Sequence, residues 1–264
     1  MDLQLTGKLA VVTGSTSGIG QAIAQALVNE GATVVINGRD ARRTEKAANA
    51  IQGAGTAIPV HGDVGSAEGV AEFLERLKAV GEVEILVNNT GIFQPMPFFE
   101  IPDEEWSRFF EINVMSGIRL SRALAPGMQE RGWGRILFIS SESAFSIPDE
   151  MVHYGMTKTA QLSVMRGLAK TLRGTGVSVN AVLPGPTWTE GVAEYVGQLA
   201  EQEGIPEEEM RKQFFPQFRP QSLIQRFIEP TEVASMVTYL ASPVSAATTG
   251  SAHRVEGGMV DDLG

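Results

Sequence analysis

Tyr154-Gly155-Met156-Thr157-Lys158 sets a phenol and an ammonium four residues apart, a spacing that places both on one face of a helix. A free phenol has a pKa near ~10, too high to exchange protons efficiently at neutral pH. A cation beside it favours the phenolate and lowers that value. The pair alone recurs on many amphipathic helices, so its setting matters. Ser141 closes the apolar run Ile136-Leu137-Phe138-Ile139, and twelve residues separate it from Tyr154. A hydroxyl, a phenol and an ammonium brought together would move a proton to or from an oxygen of a bound molecule.

A second constellation lies near the start. Thr13-Gly14-Ser15-Thr16-Ser17-Gly18-Ile19-Gly20 follows an apolar run and opens an amphipathic stretch. Gly14 permits the tight turn, Gly18 lets a pyrophosphate approach the backbone, and Gly20 lets helix and strand pack closely. The anion then meets free N–H groups at a helix N-terminus. The expectation is a dinucleotide site. The second apolar run ends Ile36-Asn37-Gly38-Arg39-Asp40, close to where an acidic residue would read an NAD ribose or an arginine an NADP phosphate. Gly38 leaves space without charge, and Arg39 offers a forked donor suited to phosphate. NADP(H) is therefore expected, with NAD(H) as the alternative, because Asp40 could pair with Arg39 and weaken it.

These residues need a frame, and the chain supplies one. Leu9-Ala10-Val11-Val12, Thr33-Val34-Val35-Ile36, Ala57-Ile58-Pro59-Val60 and Ile85-Leu86-Val87 are short apolar runs, and later come 136–139 and 177–182. Most are continuous rather than alternating, as strands buried on both faces of a parallel sheet should be. Between them lie helical stripes such as Ile19, Ala22, Ile23, Ala26 and Leu27, stopped by Gly31. Alternating strand and helix implies right-handed crossovers and helices on both sheet faces. The expected fold is α/β, a single Rossmann-like domain over 1–264 with a doubly wound parallel sheet of about seven strands, His253-Arg254-Val255 forming the last edge. Ligands of such sheets bind beyond the carboxyl ends of the strands, which puts Ser141 on the functional edge, with Glu142 and Ser143 beside it. From about 188 to 228 no strand pattern appears, and an insertion of that length reads as a helical substrate lid.

Composition narrows the function. The 264 residues are 43% hydrophobic, enough for a sizeable core, and Asp plus Glu outnumber Lys plus Arg by 31 to 21. The resulting net charge of −10 argues against nucleic acid and anionic membrane as partners. There is no cysteine, which removes disulfides, thiolate metal sites and a Cys nucleophile. His61, His153 and His253 stand far apart without ligand spacing, so no metal site is expected. His153 adjoins Tyr154 but points about 100° away on a helix, towards packing or solvent. No Gly-x-Ser-x-Gly elbow surrounds Ser141, as a serine hydrolase would need. No apolar run approaches the roughly 18 residues of a membrane span, and the opening residues carry no leader pattern. A cytoplasmic protein is expected.

With these residues together, the chain resembles the short-chain dehydrogenase/reductase family, in particular its 3-oxoacyl-thioester reductase-like subgroup. The resemblance runs in order through the Thr13 to Gly20 turn, Asp63-Val64, Asn88-Asn89-Thr90-Gly91, Asn113, Ser141, Tyr154 and Lys158. It continues through Pro184-Gly185-Pro186-Thr187-Trp188-Thr189 to Val255-Glu256-Gly257-Gly258. It implies that Tyr154 is the general acid or base, that Lys158 tunes Tyr154 and holds the nicotinamide ribose, and that Ser141 binds the substrate oxygen. Asn113 would support a water linking Lys158 to solvent. Gly14, Thr16, Ser17, Gly18, Ile19, Gly20, Asp63, Val64, Asn89 and Gly91 would line the cofactor cleft, with Pro184, Gly185, Thr187 and Thr189 near the carboxamide. The implied activity is interconversion of a ketone and a secondary alcohol by hydride transfer. The alternatives are an NAD-dependent alcohol or sugar dehydrogenase, or a dinucleotide sensor without turnover.

Two departures from the family pattern stand out. Thr90 replaces the usual Ala, and Ser17 stands where many NADP enzymes have a basic residue, leaving Arg39 with less help. Arg42 and Arg43 read equally well as a solvated helix start. Substrate choice is expected from Phe93-Gln94-Pro95-Met96, from 145–148 and from the segment after Thr189, whose apolar content suggests a small-molecule carbonyl or alcohol substrate with a hydrophobic body. The resemblance also implies a homotetramer or homodimer built on the helices that carry Asn113 and Tyr154.

Overall fold

In the computed structural model, which describes residues 1–261, seven parallel strands form one sheet. They are β1 (Leu9–Val12), β2 (Thr33–Ile36), β3 (Thr56–Pro59), β4 (Ile85–Asn88), β5 (Gly134–Ile139), β6 (Val177–Pro184) and β7 (Ala252–Val255). Their spatial order is β3-β2-β1-β4-β5-β6-β7. The order reverses direction between β1 and β4, so a crevice opens above their carboxyl ends, where the glycine-rich turn and Asn88-Asn89-Thr90-Gly91 emerge. The expected terminal residue of the domain, 264, lies outside the described residues.

The continuous apolar runs are explained by cover on both faces. Ala10 and Val12 of β1 point to a core layer built with Ile23 and Leu27 of α1 (Gly18–Asn29) and Val233, Val237 and Leu240 of α9 (Pro230–Ala241). Leu9 and Val11 point the other way, to Phe73 of α3 (Ala67–Leu77), Leu120 and Met128 of α5 (Ser116–Glu130) and Met165 of α6 (Val152–Thr171). Each large apolar side chain withdrawn from water in this way stabilises the fold by roughly 1.5–3 kcal/mol. The remaining helices named below, α2 (Ala41–Ala50) and α4 (Asp103–Phe110), flank the cofactor crevice and lead into α5 respectively.

The segment from 188 to 228 contains two helices, α7 (Glu190–Glu203) and α8 (Glu207–Phe218). They form a third, separate apolar cluster around Val196, Ala200, Met210, Phe214, Phe215 and Phe227. Thr189 caps α7 by accepting from Val192 N at 3.4 Å, and Gly204 ends it in a left-handed conformation. A parallel bridge between Thr187 and Ile228 closes the base of the excursion. No helix among the described residues is long and apolar enough to cross a membrane.

Candidate active site

The reacting residues come from three places along the chain. β5 delivers Ser141, whose Oγ accepts from Ser143 N at 3.1 Å and so caps the short turn Glu142–Ala144. Helix α6 carries Tyr154 and Lys158 on one face. Lys158 Nζ donates to Ile139 O at 3.0 Å and lies 5.4 Å from the centre of the Tyr154 ring. Ser140 Oγ donates to Lys158 O at 2.9 Å, tying strand to helix. The third contributor is a π-helical turn, Glu111–Met115, between α4 and α5. Its Asn113 grips the Ile92 backbone, with Oδ1 accepting from Ile92 N at 2.8 Å and Nδ2 donating to Ile92 O at 3.0 Å. The same Nδ2 donates to Thr157 Oγ1 at 3.0 Å, and Asn113 O accepts from Gln161 Nε2 at 2.6 Å. Asn113 therefore ties the loop after β4 to the helix of Tyr154 and touches Lys158 with none of these bonds.

Two cavities lie close to these residues. One, of about 170 Å³, is lined by Ser141, Tyr154, Ile19, Pro184, Gly185 and Thr187 on the sheet side. Phe93, Met151, Val192, Tyr195, Phe214 and Arg219 close it from the other side, four of them from the 188–228 excursion. The second cavity, of about 400 Å³, runs along the crevice past Gly14, Thr16, Ser17 and Arg39 and past Asp63, Val64, Asn89 and Gly91. Gly18 and Thr189 open onto a neighbouring hollow. Gly20 is interior: a Cβ there would stand 2.5 Å from Asn89 Nδ2 and 2.5 Å from Gly14 O. Lys158 is buried behind the walls, yet a Cβ on Gly91 would come within 3.5 Å of its Nζ. Of the segments expected to choose substrate, Phe93 and the excursion face the reaction cavity. Residues 146–148 instead line a different hollow, on the far side of Glu142 and Arg219.

Burial dominates the electrostatics. The Tyr154 phenol is pushed above its ordinary value by burial, and further by Glu142 when that carboxyl is ionised, with a Ser141 hydrogen bond opposing. The lowering expected from Lys158 does not appear: burial and Glu142 set the direction, and Ser141 is the group that opposes them. Lys158 is pushed down to about 8 by burial, with Glu142, when ionised, acting against the fall. Glu142 itself is pushed up by burial against hydrogen bonds from Ser141 and Ser143 and the charge of Arg219. At neutral pH these directions leave a neutral phenol beside an ammonium.

The residues of the long crevice fit a dinucleotide. Ser17 at the start of α1 makes no side-chain cap, so the first-turn amides remain available to an anion. Thr90 Oγ1 is buried on the crevice wall without a partner, an orphaned polar atom that a ribose hydroxyl would satisfy. Asp40 does not turn to Arg39. Its carboxylate accepts from Arg43 N at 2.7 Å and caps α2. Sequence reasoning undervalued Arg43, whose Nη2 donates to Ser17 Oγ at 3.2 Å beside the glycine turn. The helix-cap signal of Asp40 three residues earlier could have revealed it. His153 is packed, not solvated, with ring centres 4.1 Å from Phe109 and 5.9 Å from Trp106.

Comparison with known proteins settles the lineage. A family model described as enoyl-(acyl carrier protein) reductase matches residues 14–260. This chain belongs to the short-chain dehydrogenase/reductase family. It is 47% identical over 263 residues to the uncharacterized oxidoreductase YvaG of Bacillus subtilis, covering 98% of each. It is 32% identical over 258 residues to D-beta-hydroxybutyrate dehydrogenase of Cupriavidus necator, covering 97% of this chain and 99% of that one. Among solved structures, L-sorbose reductase from Gluconobacter frateurii, complexed with NADPH and L-sorbose, superposes with a TM-score of 0.94 at 33% identity, covering 100% of both chains. The short-chain dehydrogenase/reductase described here is thus an NAD(P)-dependent enzyme acting on CH–OH groups and interconverting ketones and alcohols.

Proposed function

We propose that this enzyme is an NADP(H)-dependent oxidoreductase in which Tyr154 is the general acid for ketone reduction and the general base for alcohol oxidation. The observation that supports this most is the placement of Ser141 and Tyr154 together on the wall of the 170 Å³ cavity, with Lys158 Nζ 5.4 Å from the centre of the Tyr154 ring. When bound, the nicotinamide dinucleotide supplies or accepts the hydride. The chain supplies the proton and the geometry. Burial keeps the Tyr154 phenol protonated through neutral pH, as an acid for a developing alkoxide must be. Lys158, still cationic at pH 7 with a value of about 8, stabilises the phenolate left after transfer. The Ser141 hydroxyl orients the carbonyl oxygen, and Asn113 holds the Ile92 loop, part of the crevice wall, against α6.

Arg39 and Arg43, both on the crevice wall, are the groups proposed to bind the 2′-phosphate, with Arg43 standing in for the basic residue absent at position 17. The chain is read as a single domain whose 188–228 excursion is a lid. Its substrate is a small-molecule carbonyl or alcohol compound with a hydrophobic body, matched to Phe93, Met151, Val192 and Phe214. A cytoplasmic homotetramer or homodimer completes the proposal.

The test is NADPH consumption against a broad carbonyl panel, with Tyr154→Phe run beside the wild type. Removing the proton donor should lower kcat by about 10²–10⁴-fold while leaving NADPH binding intact. Turnover that survives the substitution would overturn the assignment of the acid.

A further inference from the structure

Glu142 is a buried ionisable residue of the reaction cavity whose chemistry the proposed mechanism does not use. It is 6% exposed and shares the cavity wall with Ser141 and Tyr154. Ser141 Oγ and Glu142 Oε2 are hydrogen-bonded, and Ser143 Oγ donates to Glu142 Oε1 at 3.3 Å. The cations around it are engaged elsewhere. Arg219, beyond the end of α8, donates to Glu150 Oε1 at 2.8 Å, and Lys158 donates to Ile139 O at 3.0 Å. The other ionisable groups facing Glu142 are Tyr154 on α6, Tyr195 on α7 across the cavity, and Asp149 and Glu150 on the turn Asp149–Met151. The two acids add negative charge to its surroundings, which Arg219 offsets.

A serine hydroxyl has one O–H to donate and two lone pairs to accept with. One lone pair already takes the Ser143 N–H. If Glu142 is a carboxylate, the single Ser141 proton is drawn to it, and only an acceptor site is left for a carbonyl oxygen, which is also an acceptor. If Glu142 is a neutral acid, its own O–H donates to Ser141 Oγ. Both lone pairs are then filled, and the Ser141 proton is turned away from Glu142 into the cavity, where Tyr154 and the substrate oxygen can receive it. Only the second arrangement lets Ser141 do what carbonyl reduction asks of it.

We propose that Glu142 is a positioning residue that works as a neutral carboxylic acid, donating to Ser141 Oγ and thereby turning the Ser141 O–H towards the substrate carbonyl. The inference rests on the reading of Ser141 and Tyr154 given above. Burial, which pushes the Glu142 carboxyl above the ordinary carboxylate range, acts in the same direction. No bond to the substrate is required of Glu142, and no net proton leaves it during turnover.

The experiment is the pH dependence of kcat for NADPH-driven reduction of a ketone that the wild type accepts. It compares wild type, Glu142→Gln and Glu142→Leu, with melting temperature and NADPH binding recorded for each. In the wild type, kcat should fall as pH rises through the ionisation of Glu142. Glu142→Gln keeps an N–H donor at every pH, so that falling limb should disappear, with kcat on the acid side lowered by less than about tenfold. Glu142→Leu has no donor and should lose about 10²-fold in kcat at all pH values, with KM for NADPH unmoved. A Gln variant that keeps the wild-type limb overturns the proposal, and so does one as inactive as the Leu variant. Should the Leu variant not fold, the Gln profile decides; should neither fold, a wild-type profile with no limb below that of Tyr154 overturns it. Tyr154→Phe is measured in the same series. Turnover that survives there sinks the underlying reading, whereas its loss together with an unaltered Gln profile sinks only the role of Glu142.

Discussion

Arg43 Nη2 donates to Ser17 Oγ at 3.2 Å, joining the first turn of α2 to the glycine-rich turn that precedes α1. Asp40 caps the start of α2 by accepting from Arg43 N at 2.7 Å, and the Arg43 side chain lines the crevice. Glu190 also lies 3.6 Å from Arg43, but both side chains are mostly exposed, at 59% and 82%. Such a pair in water is weak and leaves the guanidinium able to exchange it for a phosphate.

Substituting Arg43 should therefore separate the two cofactors. A charge-assisted arginine–phosphate bond is worth about 1.5–3 kcal/mol, so Arg43→Ala should raise KM for NADPH by roughly 10- to 100-fold and change KM for NADH little. Arg39→Ala should act in the same sense. Parallel titrations with both cofactors check this, and equal effects would favour the NAD-dependent alternative.

Gly20→Ala tests the seat of the dinucleotide. The new methyl would stand 2.5 Å from Gly14 O, a backbone atom that cannot swing aside, and equally close to Asn89 Nδ2. Asn89 Nδ2 donates to Gly14 O at 3.1 Å and to Thr13 O at 2.8 Å, so the intrusion spreads the turn away from β4. Overpacking of this kind costs about 1–3 kcal/mol. A lowered melting temperature together with weakened NADPH binding, read by fluorescence titration, is expected; unchanged binding would contradict the geometry.

Phe214→Ala should loosen the lid without unfolding the sheet. Phe214 is 4% exposed and stacks with Phe215, Phe218 and Phe227 at ring-centre distances of 5.4, 5.5 and 4.8 Å. Truncating a buried Phe removes about 3–5 kcal/mol, borne mainly by the separate cluster of α7 and α8. Hydrogen exchange should accelerate across 190–218 while β1, β4 and β5 stay protected, and KM for the carbonyl substrate should rise. Uniform loss of protection would show instead that lid and sheet unfold together.

Glu232 gives a pH-dependent contribution to stability. Its carboxyl is held down at about 2, first by the hydrogen bond from Arg226 and then by the backbone N–H of Glu229 at the start of α9. A carboxyl lowered on folding stabilises the protein above its ordinary value, and that stabilisation disappears as pH falls towards 2. Glu232→Ala should cost about 1 kcal/mol at pH 7, the size of a lost helix cap. The gap in melting temperature between variant and wild type should close between about pH 5 and 2, and salt should narrow it, because the ion pair is partly exposed.

The parallel sheet, the dinucleotide turn and the Tyr154–Lys158 pair could all be read along the chain, because each is written in local spacing. A strand buried on both faces needs an unbroken apolar run, as in Leu9–Val12. Four residues of helix bring a phenol and an ammonium to one face wherever the helix lies. What could not be read depends on segments that meet only after folding. Asn113 grips Ile92 and Thr157 from a π-turn that no periodicity announces. The direction of the Tyr154 shift was opposite to the local expectation, because proximity of Lys158 is visible in sequence but removal of the phenol from water is not. Arg43 reads in sequence as a solvated helix start, whereas the fold brings its guanidinium to Ser17, and 146–148 lie outside the substrate cavity because Glu142 and Arg219 stand between. Local spacing decides which residue types share a face; burial and the meeting of distant segments decide which charge each carries and which neighbour receives its proton.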